Sequence, residues 1–209
     1  IKLQLIIEKM AIPLLWIIIG ITVLISYNTF NDPNLFDKLH FSAYRIKHNK
    51  EYHRFLSNVL IHADPTHLLF NMMSLFFLGG SLEKMLTFDL GVQMGTIHFL
   101  GIYITGGFVA NLYAFSRHAD NPEYRSVGAS GAVSAVIFAA LLWYPEMELY
   151  LMFIPIPIPA YIFGPLFLAF EYFGFKRGRG NIAHDAHIGG ALMGIVYVLI
   201  LNIDKGKEF

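Results

Sequence analysis

Six apolar stretches divide the chain, at about residues 11–27, 67–88, 92–115, 128–144, 151–175 and 187–203. A helix that crosses the hydrocarbon core of a bilayer needs about 20 mostly apolar residues, with a range of about 17 to 25. Each stretch falls within that range, the first, fourth and sixth at its lower end. The pattern predicts an all-α, polytopic membrane protein whose whole length, residues 1–209, forms a single domain with both termini on one side. No repeat at solenoid spacing and no low-complexity tract interrupts it. Two joins are long. Residues 28–66 mix Leu35, Phe36, Leu39, Phe41 and Tyr44 with Asp37, Lys38, Arg45 and Lys47, which suits an element lying on the surface, with a solvated loop as the alternative. Residues 116–127 (SRHADNPEYRSV) are polar and lead directly into Gly128. Pro155, Pro157 and Pro159 at the start of the fifth stretch, which also holds Pro165, predict an irregular helix end, and this region and the following helix are expected to form a lateral gate.

Composition fixes the solvent. The chain is 56% hydrophobic and 14% charged, against roughly 25% charged in a soluble domain, so the lipid bilayer is its first partner. A net charge of zero without a basic stripe argues against nucleic acid. The absence of cysteine excludes disulfides, a thiol nucleophile and thiolate metal ligands. The first stretch is too long for a cleaved leader and lacks a small-residue cleavage site, so it is expected to span the membrane. The chain opens at Ile1 rather than a methionine, and the reading leaves room for a soluble region ahead of it. With the amino terminus inside, the outer segments hold more Lys and Arg (Lys38, Arg45, Lys47, Lys50, Arg54, Arg117, Arg125, Lys176, Arg177, Arg179) than the inner ones (Lys2, Lys9, Lys84, Lys205, Lys207). At face value that favours an outside amino terminus, but leaving out the long first loop balances the count.

Polar groups inside lipid are expensive and tend to face one another or a wet cavity. Ser130 lies in Gly128-Ala129-Ser130-Gly131 at the start of the fourth stretch, and His187 opens the sixth. A serine hydroxyl becomes a nucleophile when a base takes its proton, and histidine suits that task near neutral pH. Gly128, Gly131, Ala132, Ala135 and Ala139 on one helix, and Gly190 and Gly194 on the face of His187, allow those two helices to touch. Packing alone is the bland explanation of either motif. His67 and Asn71, one turn apart, and the backbone N–H of Ser130 are candidate donors for an oxyanion hole. Asp185 does not share the face of His187, so the residues favour a Ser-His dyad over a triad. His184 is the rival base, expected to sit out in a polar loop. No HExxH occurs, and His62 and His67 lack a carboxylate at helical spacing. No metal and no cofactor are expected.

Together these residues resemble the rhomboid family of intramembrane serine proteases, of the bacterial six-span type, over essentially the whole six-span core. The family pattern is similar to His62, His67 and Asn71, to Gly128 through Gly131, and to Ala186, His187, Gly190 and Gly194. The resemblance implies a six-helix bundle in which Ser130 is the nucleophile and His187 the general base and acid. His67, Asn71 and the Ser130 backbone would form the oxyanion hole, with Gly128, Ala129 and Gly131 beside the substrate. It implies cleavage of transmembrane segments of single-span or polytopic membrane-protein substrates. It also implies a place in a bacterial inner membrane, amino terminus inside, with the site opening to the non-cytoplasmic side. His53-Arg54 replaces the family's Trp-Arg pair. Glu83 resembles a loop-anchoring position toward which Arg54 is expected to reach. Ser134 stands where a tyrosine often stacks on the catalytic imidazole, which leaves the ring without its usual support. The alternatives are a non-catalytic rhomboid-like protein that binds transmembrane helices and a small polytopic transporter.

Overall fold

The computed structural model describes residues 13–150, 156–177 and 183–203. The start of the fifth apolar stretch, with Pro155, lies outside the described residues, as do the beginning of the first stretch and residues 178–182. The chain is nearly all helical. Helix α1 (Leu14–Asn31) is followed by three short helices, α2 (Pro33–Leu39), α3 (Ala43–Asn49) and α4 (Arg54–Ser57), and a 3-10 turn at Asn58–Leu60. Helix α5 (Pro65–Ser74) runs through a π-helical turn (Leu75–Gly79) into α6 (Gly80–Leu90). Then come α7 (Val92–His118), α8 (Ser130–Trp143), α9 (Ala160–Arg177) and α10 (His184–Ile203). Between α8 and α9, strands β1 (Glu148–Tyr150) and β2 (Pro157–Pro159) pair antiparallel. Pro157 and Pro159 thus sit in a short two-stranded hairpin, while Pro165 lies inside α9.

Among the described residues, three helices are long and apolar enough to cross a membrane: Leu14–Asn31, Val92–His118 and His184–Asn202. Ser130–Trp143 is apolar but shorter. Large apolar side chains such as Leu24, Phe77, Leu166, Phe170 and Ile200 face outward, as expected where lipid rather than water is the neighbour. The protein is an integral, multi-pass membrane protein.

Helix α8 is the axis of the bundle. Every residue from Gly131 to Leu141 is buried, and α8 packs chiefly on α10 and α7, which also pack on each other. Small residues make this possible, because association in lipid relies on close backbone approach rather than on a hydrophobic driving force. A Cβ at Gly190 would fall on the carbonyl oxygen of Gly131, and one at Gly194 on that of Ala135. On the α7 side, a Cβ at Gly106 would strike the Cβ of Ala135.

The first loop is a folded element rather than a tether. Asp32 caps α2 through the N–H groups of Asn34 and Leu35, and Ser42 caps α3 through that of Arg45. Phe41, Ala43 and Ile46 bury against Ala114 of α7, with Phe55, Phe115 and Tyr124 around them. Phe41 and Ser126 exchange backbone hydrogen bonds of 2.9 and 3.2 Å, tying the loop to the segment before α8.

The expectation that Arg54 reaches Glu83 is corrected. Arg54 is 2% exposed and spends its donors within the first loop: Nη1 on the carbonyls of Asp37 and His40, both at 2.8 Å, and Nε on Glu51 at 2.6 Å. Glu83 instead accepts the N–H groups of Leu14 (2.8 Å) and Leu15 (3.3 Å). These are donors of the first turn of α1, which the helix itself leaves without acceptors and whose dipole favours a carboxylate.

Gly194→Val is expected to force α8 and α10 apart and lower the melting temperature in detergent, since overpacking costs about 1–3 kcal/mol or more. Gly20→Ala, whose Cβ would meet nothing within 4 Å, serves as the control and leaves it unchanged or raised. Equal melting temperatures for the two variants would contradict this packing argument.

Candidate active site

Ser130 is the first residue of α8, so its N–H has no acceptor within the helix. The approach to it is tightly held. Gly128 has φ +123°, and a Cβ there would come within 2.6 Å of Cε1 and 2.9 Å of Nε2 of His67. Both the backbone conformation and the imidazole lying over it therefore require glycine. The Gly128 N–H donates to the Asn58 carbonyl at 3.0 Å, and the Ala129 N–H donates to Nε2 of His62 at 3.3 Å.

That last bond fixes a chain of donors. A backbone N–H only donates, so Nε2 of His62 accepts and its Nδ1 carries the proton. Nδ1 donates to the Ser26 hydroxyl at 2.9 Å, and the hydroxyl donates to the Leu60 carbonyl at 3.0 Å. Neutral His62, fully buried, thus links α1 to the turn that presents Ser130.

Helix α5 brings His67 and Asn71. Its start is set by Asp64, whose carboxylate accepts the His67 N–H at 2.9 Å, and by Pro65 at the first position, where no N–H is needed. Asn71, 7% exposed, donates to the His67 carbonyl at 3.0 Å, which leaves its second amide hydrogen uncommitted. Ser130, His187, His67 and Asn71 line one cavity of about 840 Å³, with Ser126, Ser134 and Tyr124 among its other walls. The three elements that carry them, α5, α8 and α10, are thereby brought around one space. Gly131 lies under Gly190, and Ala129 is fully buried.

The largest departure from the sequence reading is a carboxylate. Glu171 of α9, 3% exposed, lies between two imidazoles. Its Oε2 is 2.6 Å from Nδ1 of His184, and its Oε1 is 3.1 Å from Nδ1 of His187. The second contact has the distance of a hydrogen bond but not its alignment, so Nδ1 of His187 has no hydrogen-bond partner. His184 was expected in a polar loop; it is instead the buried first residue of α10. The acid beside His187 is thus on α9, and not Asp185. The signal was present in Glu171 itself, the lone acid in a helix that is apolar up to Lys176 and Arg177 in its last turn, where an ionisable residue needs a reason. The donor atoms of Glu171, His184 and His187 all lie within 4.8 Å of one another, and a His-His-Glu set can hold zinc.

Burial and the neighbouring His67 push His62 down to about 3 from its usual 6.5, against a smaller upward pull from Asp64. A histidine depressed in the folded state contributes stability that is complete above pH 6.5 and is lost as pH falls toward 3. At pH 5 the loss is about 2 kcal/mol. Unfolding in detergent across that window is expected to show it, and His62→Gln to flatten the dependence. A slope unchanged in that variant would assign the pH effect elsewhere.

Residues 49–203 match the family described as Rhomboid domain. Among curated proteins, the chain is 25% identical over 200 residues to RHOMBOID-like protein 12, mitochondrial, of Arabidopsis thaliana, covering 88% of this chain and 56% of that protein. It is 29% identical over 133 residues to the Presenilin-associated rhomboid-like protein, mitochondrial, of Homo sapiens (62% of this chain, 35% of that one). It is 29% identical over 163 residues to Rhomboid protease GluP of Bacillus subtilis (76% and 28%). The chain therefore spans about half or less of the length of these relatives. The family match covers most of the chain, from the end of α3 through α10, and the chain belongs to the rhomboid family.

Proposed function

We propose that this chain is an intramembrane serine endopeptidase that cleaves transmembrane segments of membrane-protein substrates with Ser130 and His187. The observation that carries the reading is the shared cavity: a serine at a helix start, an imidazole on the helix touching it, and His67 and Asn71 opposite, all on one wet-sized space. His187 takes the Ser130 proton as the hydroxyl attacks the scissile carbonyl, then returns a proton to the leaving amine. Negative charge on the carbonyl oxygen is met by the Ser130 N–H, the free amide hydrogen of Asn71 and the His67 ring. The substrate backbone is bound beside the Gly128–Gly131 turn that presents Ser130. A helical amide is hidden from attack, so the substrate unwinds locally before it enters.

In this reading the chain is one domain of six spans. The two beyond the long apolar helices and α8 are the column of α5 and α6, broken by its π turn, and α9. The membrane is a bacterial inner membrane, with the cavity open to the non-cytoplasmic side. The relative in Bacillus subtilis favours it, and the mitochondrial relatives favour a mitochondrial membrane as the second reading; membrane fractionation of the source cells decides. A purely helix-binding rhomboid-like protein or a transporter has no need of a serine and a histidine on one cavity wall.

Ser130→Ala and His187→Ala are expected to abolish cleavage of a single-span substrate in liposomes and labelling by a fluorophosphonate, without loss of fold. Asn71→Ala is expected to lower kcat by about 10² to 10³ and leave measurable turnover. Labelling that survives Ser130→Ala would identify another nucleophile.

A further inference from the structure

Glu171 is a carboxylate buried among apolar helices, and a buried charge persists only where it is paired and hydrogen-bonded. Both of its oxygens face imidazole Nδ1 atoms: Oε2 that of His184 at 2.6 Å and Oε1 that of His187 at 3.1 Å. Nδ1 of His187 is buried and has no other partner, and Ser134, facing the same cavity, offers no ring to stack on the imidazole. We propose that Glu171 is a positioning residue for His187, accepting its Nδ1–H so that Nε2 is the atom turned toward Ser130. This rests on the reading of Ser130 and His187 as the reacting pair.

The geometry assigns each group one task. His184 holds Oε2, which fixes the plane of the carboxylate and aims Oε1 at α10. Rotation of the His187 ring would bring its N–H into line with Oε1; bonds of this kind are often poorly aligned until substrate is in place. With Nδ1–H committed to Oε1, Nε2 is the basic nitrogen that takes the serine proton. The imidazolium formed at that moment lies against a negative charge, and the carboxylate itself stays ionised. Without Glu171, the ring is free to adopt the other tautomer, which presents a donor to Ser130 instead of a base.

The test compares wild type, Glu171→Gln and Glu171→Asp in proteoliposomes with a single-span substrate, with Ser130→Ala as the inactive control. Glu171→Gln keeps size and burial but offers His187 an amide. It is expected to lower kcat by up to about 10⁴, as the comparable carboxylate-to-amide change does in a Ser-His-Asp triad. KM and melting temperature stay near wild type, and the rate of fluorophosphonate labelling at Ser130 falls in step. Glu171→Asp, with the charge on a shorter arm, is expected to recover part of the loss. A Gln variant with wild-type kcat, or one whose KM or melting temperature changes while kcat does not, overturns the proposal. If the Gln variant does not fold, Glu171→Asp decides alone: lowered kcat at constant KM supports the role, and unchanged kcat overturns it. Wild-type activity that is lost to EDTA and restored by zinc also overturns it, since the three residues would then be a cation site. A wild type that neither cleaves substrate nor labels, unlike any result above, overturns the catalytic reading on which the proposal stands.

Discussion

Two helices that meet backbone to backbone decide where Ser130 and His187 sit. Lipid tails are as apolar as leucine, so α8 and α10 gain little from burying large side chains against each other and much from direct contact of their backbones. Gly131 lies under Gly190, and Ala135 under Gly194. The spacing of one turn between the two contacts fixes the register of the pair as well as its distance. Ser130 precedes the first contact by one residue and His187 precedes it by one turn on the facing helix. Their placement on one cavity wall follows from that register rather than from any bond between them.

The same solvent argument governs the polar residues. With no water to satisfy a buried group, each must find a partner inside the protein or forfeit about 1–3 kcal/mol. Glu83 closes the first turn of α1, Arg54 gathers two carbonyls and Glu51, and His62 bridges Ser26 to Ala129. Asn111 joins α7 to the 3-10 turn, exchanging bonds of 3.2 and 3.3 Å with Asn58. Through His62, and through Asn58, whose carbonyl accepts the Gly128 N–H, α1, the first loop and α7 are tied to the turn that carries Ser130. These contacts also explain why that turn holds a glycine at positive φ: the backbone is pinned from both sides, and an imidazole occupies the space a side chain would need.

Much of this was legible in the chain. Apolar length gave the helices, and most ends moved by a few residues, but the helix of the fifth stretch begins only at Ala160, after a strand at Pro157–Pro159; α10 begins at His184 rather than His187 because Ala183 already accepts the N–H groups of Ala186 and His187. The motif residues Ser130, His67, Asn71 and His187 converge on one cavity, since small-residue spacing and helical phase are local properties that a sequence records. Contacts between elements far apart in sequence were not legible. Nothing local says that Glu83 turns to the N–H groups of Leu14 and Leu15, or that Arg54 reaches the carbonyls of Asp37 and His40 and not Glu83. Glu171 was missed for the same reason: its meaning depends on α9 lying beside the start of α10.

An acid at that position bears on how the fold can lose one support and keep its chemistry. An imidazole must present the correct nitrogen at the correct angle, and either a stacked ring or a hydrogen bond at Nδ1 can set it. A tyrosine at position 134 would require room on the cavity side of α8; Ser134 leaves that room to the cavity. Control of His187 then passes to the opposite side, where a charge is tolerable only because His184 shares it. His184 and Glu171 are in that sense one unit: removing the histidine would leave a buried carboxylate with half its partners. A site held this way couples the orientation of its base to the packing of α9 against α10, so a movement of α9 that admits a substrate helix would also move the group that aims the imidazole.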